Sequence, residues 1–129
     1  MYSVTHIFSF EAAHFLQNYK GKCSHMHGHS YRVEVTLSGE KLDDIGMLVD
    51  FNRLKILAQN HIIDRYDHRV LNDVLFDCHE GKNPTAEILA YRFFQSFKDA
   101  IFHVESEQGI RVKKVKVWET ANSFTEYEE

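Results

Sequence analysis

The chain has no long apolar run. No window approaches the roughly eighteen uncharged apolar residues of a membrane-spanning helix, and the first residues lack the charged-then-apolar pattern of a secretory signal. Basic residues are also scattered, since 15 lysines and arginines stand against 19 acidic residues and the longest basic run is Lys113–Lys114. These absences predict a cytoplasmic protein that binds neither membranes nor nucleic acids.

Proline, glycine and cysteine are scarce. One proline and six glycines are few for an all-β fold with many tight turns. The two cysteines, Cys23 and Cys78, are expected to be free thiols in the cytoplasm. A length of 129 residues with 43% hydrophobic and 26% charged residues is typical of one globular domain that folds without a disulfide. We therefore expect residues 1–129 to form a single domain.

Three sequence motifs that would define a function are missing. There is no Gly-x-Gly-x-x-Gly stretch for a dinucleotide and no His-Glu-x-x-His helix of a zinc protease. There is also no Cys-x-x-Cys pair of the kind that zinc fingers use. The sequence therefore predicts neither a nicotinamide or flavin enzyme nor a zinc finger.

Alternation of apolar and polar residues predicts the strands. Residues 2–11 and 29–38 alternate with period two, as half-buried strands do. Residues 110–119 return to alternation with one interruption, and residues 123–129 can pair with them across a short turn. The short, mostly apolar segment 45–51 predicts either a short strand or one side of a turn.

Apolar residues at three- and four-residue spacing predict a first helix. Asp50 is a suitable N-cap, and the apolar stripe continues to about Ile63. The mixed, polar residues 64–83 that follow predict a connecting loop.

A second helix is predicted after this loop. Asn83 or Thr85 can cap it, Pro84 suits its first turn, and its apolar stripe extends to about His103. The element order is then β-β-α-α-β-β. This order predicts an α+β fold in which two helices pack on one face of an antiparallel four-stranded sheet.

The segment KCSHMHGHS, residues 22–30, concentrates groups that can bind metal. His27 and His29 are two residues apart where a strand begins, so their side chains lie on the same side of it. His14, at the end of the first strand, can reach the same point if the two strands are neighbours. Three imidazoles with no fourth protein ligand is the composition of a catalytic zinc site, although nickel, copper and iron also accept imidazole. The alternative is a histidine-rich surface loop.

A cupin barrel is a competing interpretation of the same residues. Gly21, His27, His29 and Glu34 have the spacing of that family's first motif. The second motif is absent, because the only proline, Pro84, is followed by Thr-Ala-Glu. The predicted helix after Pro84 also argues against an all-β fold.

Cys23, Asp67 and His68 are candidates for proton chemistry. Cys23 can be a small buried residue, or a thiol acid, base or nucleophile whose thiolate a nearby cation favours. Asp67 next to His68 can be a loop salt bridge, or a pair in which the carboxylate orients the imidazole for proton transfer.

Taken together, several segments resemble the 6-pyruvoyltetrahydropterin synthase family, and most of all its bacterial branch, the 6-carboxytetrahydropterin synthases. They occur in the family's order and span nearly the whole chain. These segments are FEAAH, KCSHMHGHSY, GMLVDF, YDHRVLND, NPTAE and VKVWET. The resemblance implies the tunnelling fold, or T-fold, with the β-β-α-α-β-β order.

The resemblance also implies roles for individual residues. The zinc ligands would be His14, His27 and His29. The thiol that moves protons and its relay partners would be Cys23, Asp67 and His68. The groups around the pterin ring would be Thr85, Glu87 and Glu119, with Glu119 as the carboxylate that anchors the ring. His25 has no role in this pattern and is expected to bind nothing.

The implied activity is that of a zinc-dependent lyase in queuosine biosynthesis. It would convert 7,8-dihydroneopterin triphosphate and water to 6-carboxy-5,6,7,8-tetrahydropterin, acetaldehyde and triphosphate, with the pterin ring reduced internally as its side chain is oxidised. Lys20, Lys22 and Arg69 are candidate triphosphate contacts. The alternatives are formation of 6-pyruvoyltetrahydropterin, cleavage of sepiapterin or neopterin-type substrates, and a non-catalytic zinc- or pterin-binding module. The family's assembly implies trimers paired into hexamers.

Overall fold

Two long antiparallel strands carry the histidines. The computed structural model describes residues 1–129. Strand β1, Tyr2–His14, pairs with β2, His27–Gly39, along its full length, from Tyr2 opposite Gly39 to His14 opposite His27. The predicted strands are confirmed, and both are longer than the alternation indicated. Their shared end places His14 directly across from His27.

Two further strands extend the sheet beyond β2. Strand β4, Arg111–Thr120, pairs antiparallel with β2, and β5, Ser123–Glu128, pairs antiparallel with β4. A bulge explains the interrupted alternation, because Leu37 is opposite Val112 while the preceding Thr36 is opposite Lys114. The extra residue restores the inward direction of the next valines.

The prediction of a four-stranded, wholly antiparallel sheet is wrong in one respect. A fifth strand, β3, consists of Arg69–Val70 and pairs parallel with Ala12 and Ala13 of β1, which gives the strand order β3-β1-β2-β4-β5. A two-residue strand has no measurable periodicity, so only its pairing with β1 reveals it.

The segment predicted as a loop, 64–83, is also more ordered than expected. It contains three short helices besides β3: α2 (Asp64–Tyr66), α3 (Leu71–Val74) and α4 (Phe76–His79). Residues 45–50 form turns and bends and Phe51 begins the next helix, which rules out the strand alternative predicted there.

The two predicted helices are present. Helix α1, Phe51–Ala58, begins after Asp50, whose carboxylate accepts a hydrogen bond from Asn52 N, and it continues as a π-helical stretch, Gln59–Ile63, into α2.

Helix α5, Ala86–Ile101, is capped by Thr85, which accepts from Ile88 N. Asn83 is not its cap, and Pro84 precedes the cap instead of occupying the first turn.

One face of the sheet packs against α1 and α5. Twenty-six buried apolar residues form a single cluster there, with Tyr31, Phe93 and Phe97 among the largest fully buried side chains. His14, His27, His29 and Tyr31 share the inward parity of β1 and β2, so the histidines lie at one end of the core layer. No helix has the length and apolar character needed to cross a membrane.

Candidate metal centre and active site

The structure brings the three predicted histidines together. His14 Nε2 lies 3.1 Å from His27 Nε2. The ring centroid of His29 is 5.0 Å from that of His14 and 4.8 Å from that of His27. Register alone produces this convergence, since His14 is paired with His27 and His29 follows two positions later on the same face.

Backbone carbonyls fix how two of these rings present their nitrogens. His14 Nδ1 donates to Pro84 O and His27 Nδ1 donates to His25 O, each at 2.8 Å. A carbonyl only accepts, so both Nδ1 atoms carry hydrogen and both Nε2 atoms present lone pairs. Two lone pairs 3.1 Å apart repel unless a cation or a proton lies between them.

Glu119 of β4 completes the cluster. Its Oε1 atom lies 3.2 Å from His14 Nε2 and 3.1 Å from His29 Nε2. The ligand atoms of His14, His27, His29 and Glu119 all lie within 4.8 Å of one another. In the absence of a metal, a proton on His14 Nε2 that is donated to Glu119 lowers the pKa of this carboxyl below its ordinary value, and a protonated His29 acts in the same direction.

His29 is the member of the cluster with an unsatisfied atom. Its Nε2 is buried and makes no hydrogen bond of acceptable geometry, although Glu119 is close. Burial lowers the pKa of His29 and outweighs the opposing effect of Glu119, while His14 and His27 lower that pKa further. A neutral imidazole with an unused buried nitrogen is a donor for a metal ion. The donor set therefore fits a divalent metal that prefers imidazole.

Tyr31 is a residue of the site that the sequence did not single out. It is fully buried, its hydroxyl lies 3.2 Å from His14 Nδ1, and its ring stacks on Phe10 with centroids 5.1 Å apart. Burial raises the pKa of Tyr31, and the charge of Glu119 raises it further. Tyr31 therefore stays a neutral phenol that contacts His14 at Nδ1, the ring nitrogen opposite the one that faces the cluster.

The Asp67–His68 pair is formed as a hydrogen-bonded unit. Asp67 accepts from His68 Nδ1 and from Glu11 N, each at 2.8 Å, and His68 N donates back to Glu11 O at 2.6 Å. The hydrogen bond from Glu11 N lowers the pKa of Asp67 most, and the bond from His68 adds to it. His68 has a left-handed backbone conformation, with φ of 59°, and these bonds to β1 hold it there.

A cavity of about 380 Å³ lies between His68 and the end of β1 and β2, and His29 is the one of the three histidines in its wall. Its walls include His29 and Ser30 of β2, Glu11 of β1, and His68 with Arg69. The imidazole of His68 is 77% exposed at its edge. The wall of this cavity thus includes a candidate metal ligand (His29), a candidate proton carrier (His68) and a candidate triphosphate contact (Arg69).

Cys23 lies apart from the four clustered ligand atoms. It is a half-buried free thiol in a single 3-10 turn, Lys22–Ser24, and its carbonyl accepts from Leu16 N. The connection between β1 and β2 therefore folds back toward the end of β1. Lys20 and Lys22 on the same connection are exposed.

Thr85 and Glu87 lie at the start of α5, beside Pro84, whose carbonyl holds His14. The Thr85 hydroxyl is used as the helix cap. Glu87 is exposed and accepts from Thr125 Oγ1 at 3.3 Å. Neither side chain belongs to the four-residue cluster.

Two asparagines that the sequence did not assign to the site hold the chain that follows His14. Asn72 exchanges two hydrogen bonds with the backbone of Phe15, and Asn83 exchanges two with the backbone of Gln17, all at 2.9–3.0 Å. Each amide pairs with the backbone as a neighbouring strand would. His25 contributes only its carbonyl to the cluster, and its side chain is exposed.

Comparison with known proteins identifies the family. The family described as 6-pyruvoyl tetrahydropterin synthase matches residues 3–129. A 6-carboxy-5,6,7,8-tetrahydropterin synthase of Synechocystis is 36% identical over 128 residues, covering 93% of this chain and 88% of the relative. The protein of that name from Haemophilus influenzae is 29% identical over 144 residues, covering all of both chains.

Solved structures agree. The 6-pyruvoyl tetrahydropterin synthase of Caenorhabditis elegans matches 99% of this chain and 95% of its own, with a TM-score of 0.82 and 28% identity. The Plasmodium vivax enzyme shares the fold at a TM-score of 0.74 and 19% identity, covering 100% of this chain and 99% of its own. The predicted T-fold is confirmed, and the chain belongs to the 6-pyruvoyl tetrahydropterin synthase family.

Proposed function

We propose that this protein is a 6-carboxytetrahydropterin synthase of queuosine biosynthesis. As a lyase it converts 7,8-dihydroneopterin triphosphate and water to 6-carboxy-5,6,7,8-tetrahydropterin, acetaldehyde and triphosphate. Relatives of that name from several bacteria match nearly the whole chain. The observation that carries the proposal is the convergence of the His14 and His27 lone pairs with the unsatisfied His29 nitrogen and the Glu119 carboxylate. We assign the activity to residues 1–129 as one domain, because the buried apolar residues form one cluster.

We assign His14, His27 and His29 as the ligands of a zinc ion. The carbonyls of Pro84 and His25 orient two of these ligands and fix their tautomers, which is the usual role of groups behind a metal-binding imidazole. When bound, zinc would supply Lewis acidity toward the hydroxyls of the pterin side chain.

We assign proton transfer to Cys23 and the Asp67–His68 pair. Because Asp67 accepts from His68 Nδ1, it leaves His68 Nε2 free to take and return a proton at the edge of the cavity. Cys23, on the connection between β1 and β2, would be the second group that moves protons at the pterin side chain.

We assign recognition of the pterin ring to Thr85, Glu87 and Glu119. A pterin presents an amino group and a ring N–H side by side, and one carboxylate can accept both. Glu119 is the candidate for that carboxylate, with Thr85 and Glu87 at the start of α5.

Product analysis tests the proposal. The purified protein is incubated with 7,8-dihydroneopterin triphosphate, and the products are identified by mass spectrometry, with His27→Ala as control. We expect 6-carboxytetrahydropterin and one acetaldehyde per turnover. Turnover without acetaldehyde would favour the second candidate, a 6-pyruvoyltetrahydropterin synthase, which the similarity to the Caenorhabditis elegans enzyme supports. The absence of any product would favour a non-catalytic module.

We also propose a homohexamer built as a dimer of trimers, acting in the cytoplasm. Strand β3 pairs with only Ala12 and Ala13, and Asp67 and His68 bond to the backbone of Glu11, so β1 has an open edge from Tyr2 to Phe10, and β5 forms the other open edge. Open edges of this length favour pairing with another chain. Light scattering after size-exclusion chromatography measures the assembly, and an active monomer would refute it.

A further inference from the structure

The Glu119 carboxylate lies where a fourth metal ligand would be. A tetrahedral ion with ligand bonds of about 2.0 Å separates its donor atoms by about 3.3 Å. The observed separations are 3.1 Å from His14 Nε2 to His27 Nε2, 3.2 Å from His14 Nε2 to Glu119 Oε1, and 3.1 Å from His29 Nε2 to Glu119 Oε1. Two of these three separations involve Glu119, and all four donor atoms lie within 4.8 Å of one another, so Glu119 is placed where it can share an ion with the histidines.

The same carboxylate cannot fully serve the pterin ring from this position. Holding an amino group and a ring N–H side by side uses both carboxylate oxygens. Oε1 of Glu119 is already directed at His14 and His29. The two roles therefore require two positions of the side chain.

Nothing outside the cluster holds Glu119 in its present position. Its side chain is 31% exposed and accepts no hydrogen bond from any group beyond the histidines. Glu34 on the same sheet shows the contrast, because the indole Nε1 of Trp118 fixes its carboxylate.

The backbone at Glu119 is also irregular. The β2–β4 register ends at Arg32 opposite Trp118, and the β4–β5 register shifts between Trp118 and Thr120. Glu119 therefore has no paired residue on either β2 or β5. Bulges of this kind re-aim side chains next to active sites.

We propose that Glu119 is the fourth metal ligand in the substrate-free protein and leaves the metal when it binds the pterin ring. This inference rests on the proposed metal site. It is a ligand exchange, in which the carboxylate releases the metal and accepts two N–H groups of the pterin, with no change of oxidation state. The metal position that activates the side-chain hydroxyls is then open only when a pterin ring is in place.

Linkage follows from this exchange. A pterin without a side chain removes Glu119 from the metal and offers no hydroxyl in return. Such a pterin must weaken metal binding, and the metal must weaken its binding by the same factor.

The test uses Co²⁺ as the probe metal, because its visible absorption reports its ligands. The Co²⁺ dissociation constant is measured by competition with a chelator for the wild type, Glu119→Gln and the matched control Glu11→Gln. Glu11 also borders the cavity beside His29, but its carboxylate accepts from Ser30 and not from the histidines. Both variants lose one negative charge.

We expect Glu119→Gln to weaken Co²⁺ binding by at least about tenfold and to change the absorption spectrum, while Glu11→Gln stays within about twofold of wild type. Saturating wild type with unsubstituted pterin should shift its spectrum toward that of Glu119→Gln. This titration needs no variant, so it tests the exchange even if Glu119→Gln is poorly folded.

Two results would overturn the inference. One is a Glu119→Gln protein with the affinity and spectrum of Glu11→Gln, and the other is a wild-type spectrum that bound pterin leaves unchanged. Both leave the proposed metal site intact, provided that wild type binds one Co²⁺ per chain. If wild type binds no Co²⁺, the metal site itself is refuted, together with this inference.

Discussion

Two buried polar regions of this protein differ in how completely their groups are satisfied. Asp77 of α4 is fully buried, and its two oxygens accept from Arg92 Nε and Nη2 at 2.7 and 3.1 Å. The Arg92 guanidinium also lies over the ring of Phe76. In the histidine cluster, by contrast, two lone pairs face each other and His29 Nε2 has no hydrogen bond.

The difference separates a structural role from a functional one. Burying charged groups costs free energy unless partners satisfy them. Both carboxylate oxygens of Asp77 already accept hydrogen bonds from Arg92. The pair therefore connects α4 to α5 and leaves few polar atoms free to bind a ligand. The histidine cluster leaves a buried nitrogen unsatisfied beside two converging lone pairs, and this arrangement supports the proposed metal site.

The largest expected effect is loss of the metal from His27→Ala. Removing one of three imidazoles should weaken zinc binding by at least about a hundredfold, since even groups behind a ligand are worth roughly tenfold to a hundredfold. Elemental analysis of the dialysed protein measures this. A variant that retains one zinc per chain would show that His27 is not a ligand.

Cys23→Ala should separate chemistry from metal binding. Loss of a positioned acid–base group typically costs about 10²- to 10⁴-fold in rate, whereas zinc content should stay at the wild-type level because Cys23 lies outside the cluster. The rate of acetaldehyde release is measured beside Cys78→Ala, which should keep full activity. Equal rates for both variants would remove Cys23 from the mechanism.

Asp77→Ala should affect stability and not chemistry. Leaving Arg92 with no buried partner is expected to lower the free energy of unfolding by about 3–5 kcal/mol. Urea unfolding measures the loss, and zinc content per folded chain should not change. Glu129→Gln, which breaks the exposed pair with Lys98, is the control and should leave the urea midpoint unchanged. Equal midpoints for both variants would contradict a structural role for the buried pair.

Asp67→Asn should alter the pH dependence of stability. The pKa of Asp67 is lowered in the folded protein, so its ionised form contributes stability above the unfolded pKa of about 4. That contribution disappears as the pH falls through the lower folded pKa. The difference between the unfolding free energies of wild type and Asp67→Asn, measured in metal-free protein, should therefore shrink from about pH 6 toward about pH 3. A difference that grows on acidification would contradict this assignment.

The smallest effect is expected for His25→Ala. His25 supports the cluster through its carbonyl, which alanine retains. The zinc dissociation constant should remain within about twofold of wild type, and a larger change would show that the imidazole itself takes part.

Much of this arrangement could be predicted from the sequence, for a physical reason. Alternation in β1 and β2 fixes which side chains share a face, so the sequence alone was enough to group His27 and His29 with His14. The capping role of Asp50 was equally local, and it is confirmed.

What could not be predicted depends on contacts between distant segments. Strand β3 exists because it pairs with Ala12 and Ala13. The hydrogen bonds of Asn72 and Asn83 to residues that follow His14 have no local signal. Glu119 was expected at the pterin ring, although the alternation of Val115, Val117 and Glu119 could have indicated its inward direction toward the histidines.

The most direct test of the account is zinc reconstitution with product detection. The protein is stripped of metal, zinc is added back in steps, and acetaldehyde release from 7,8-dihydroneopterin triphosphate is followed. The account predicts no release without metal and a linear rise that ends at one zinc per chain. Full activity in the stripped protein, or no acetaldehyde at one zinc per chain, would contradict it.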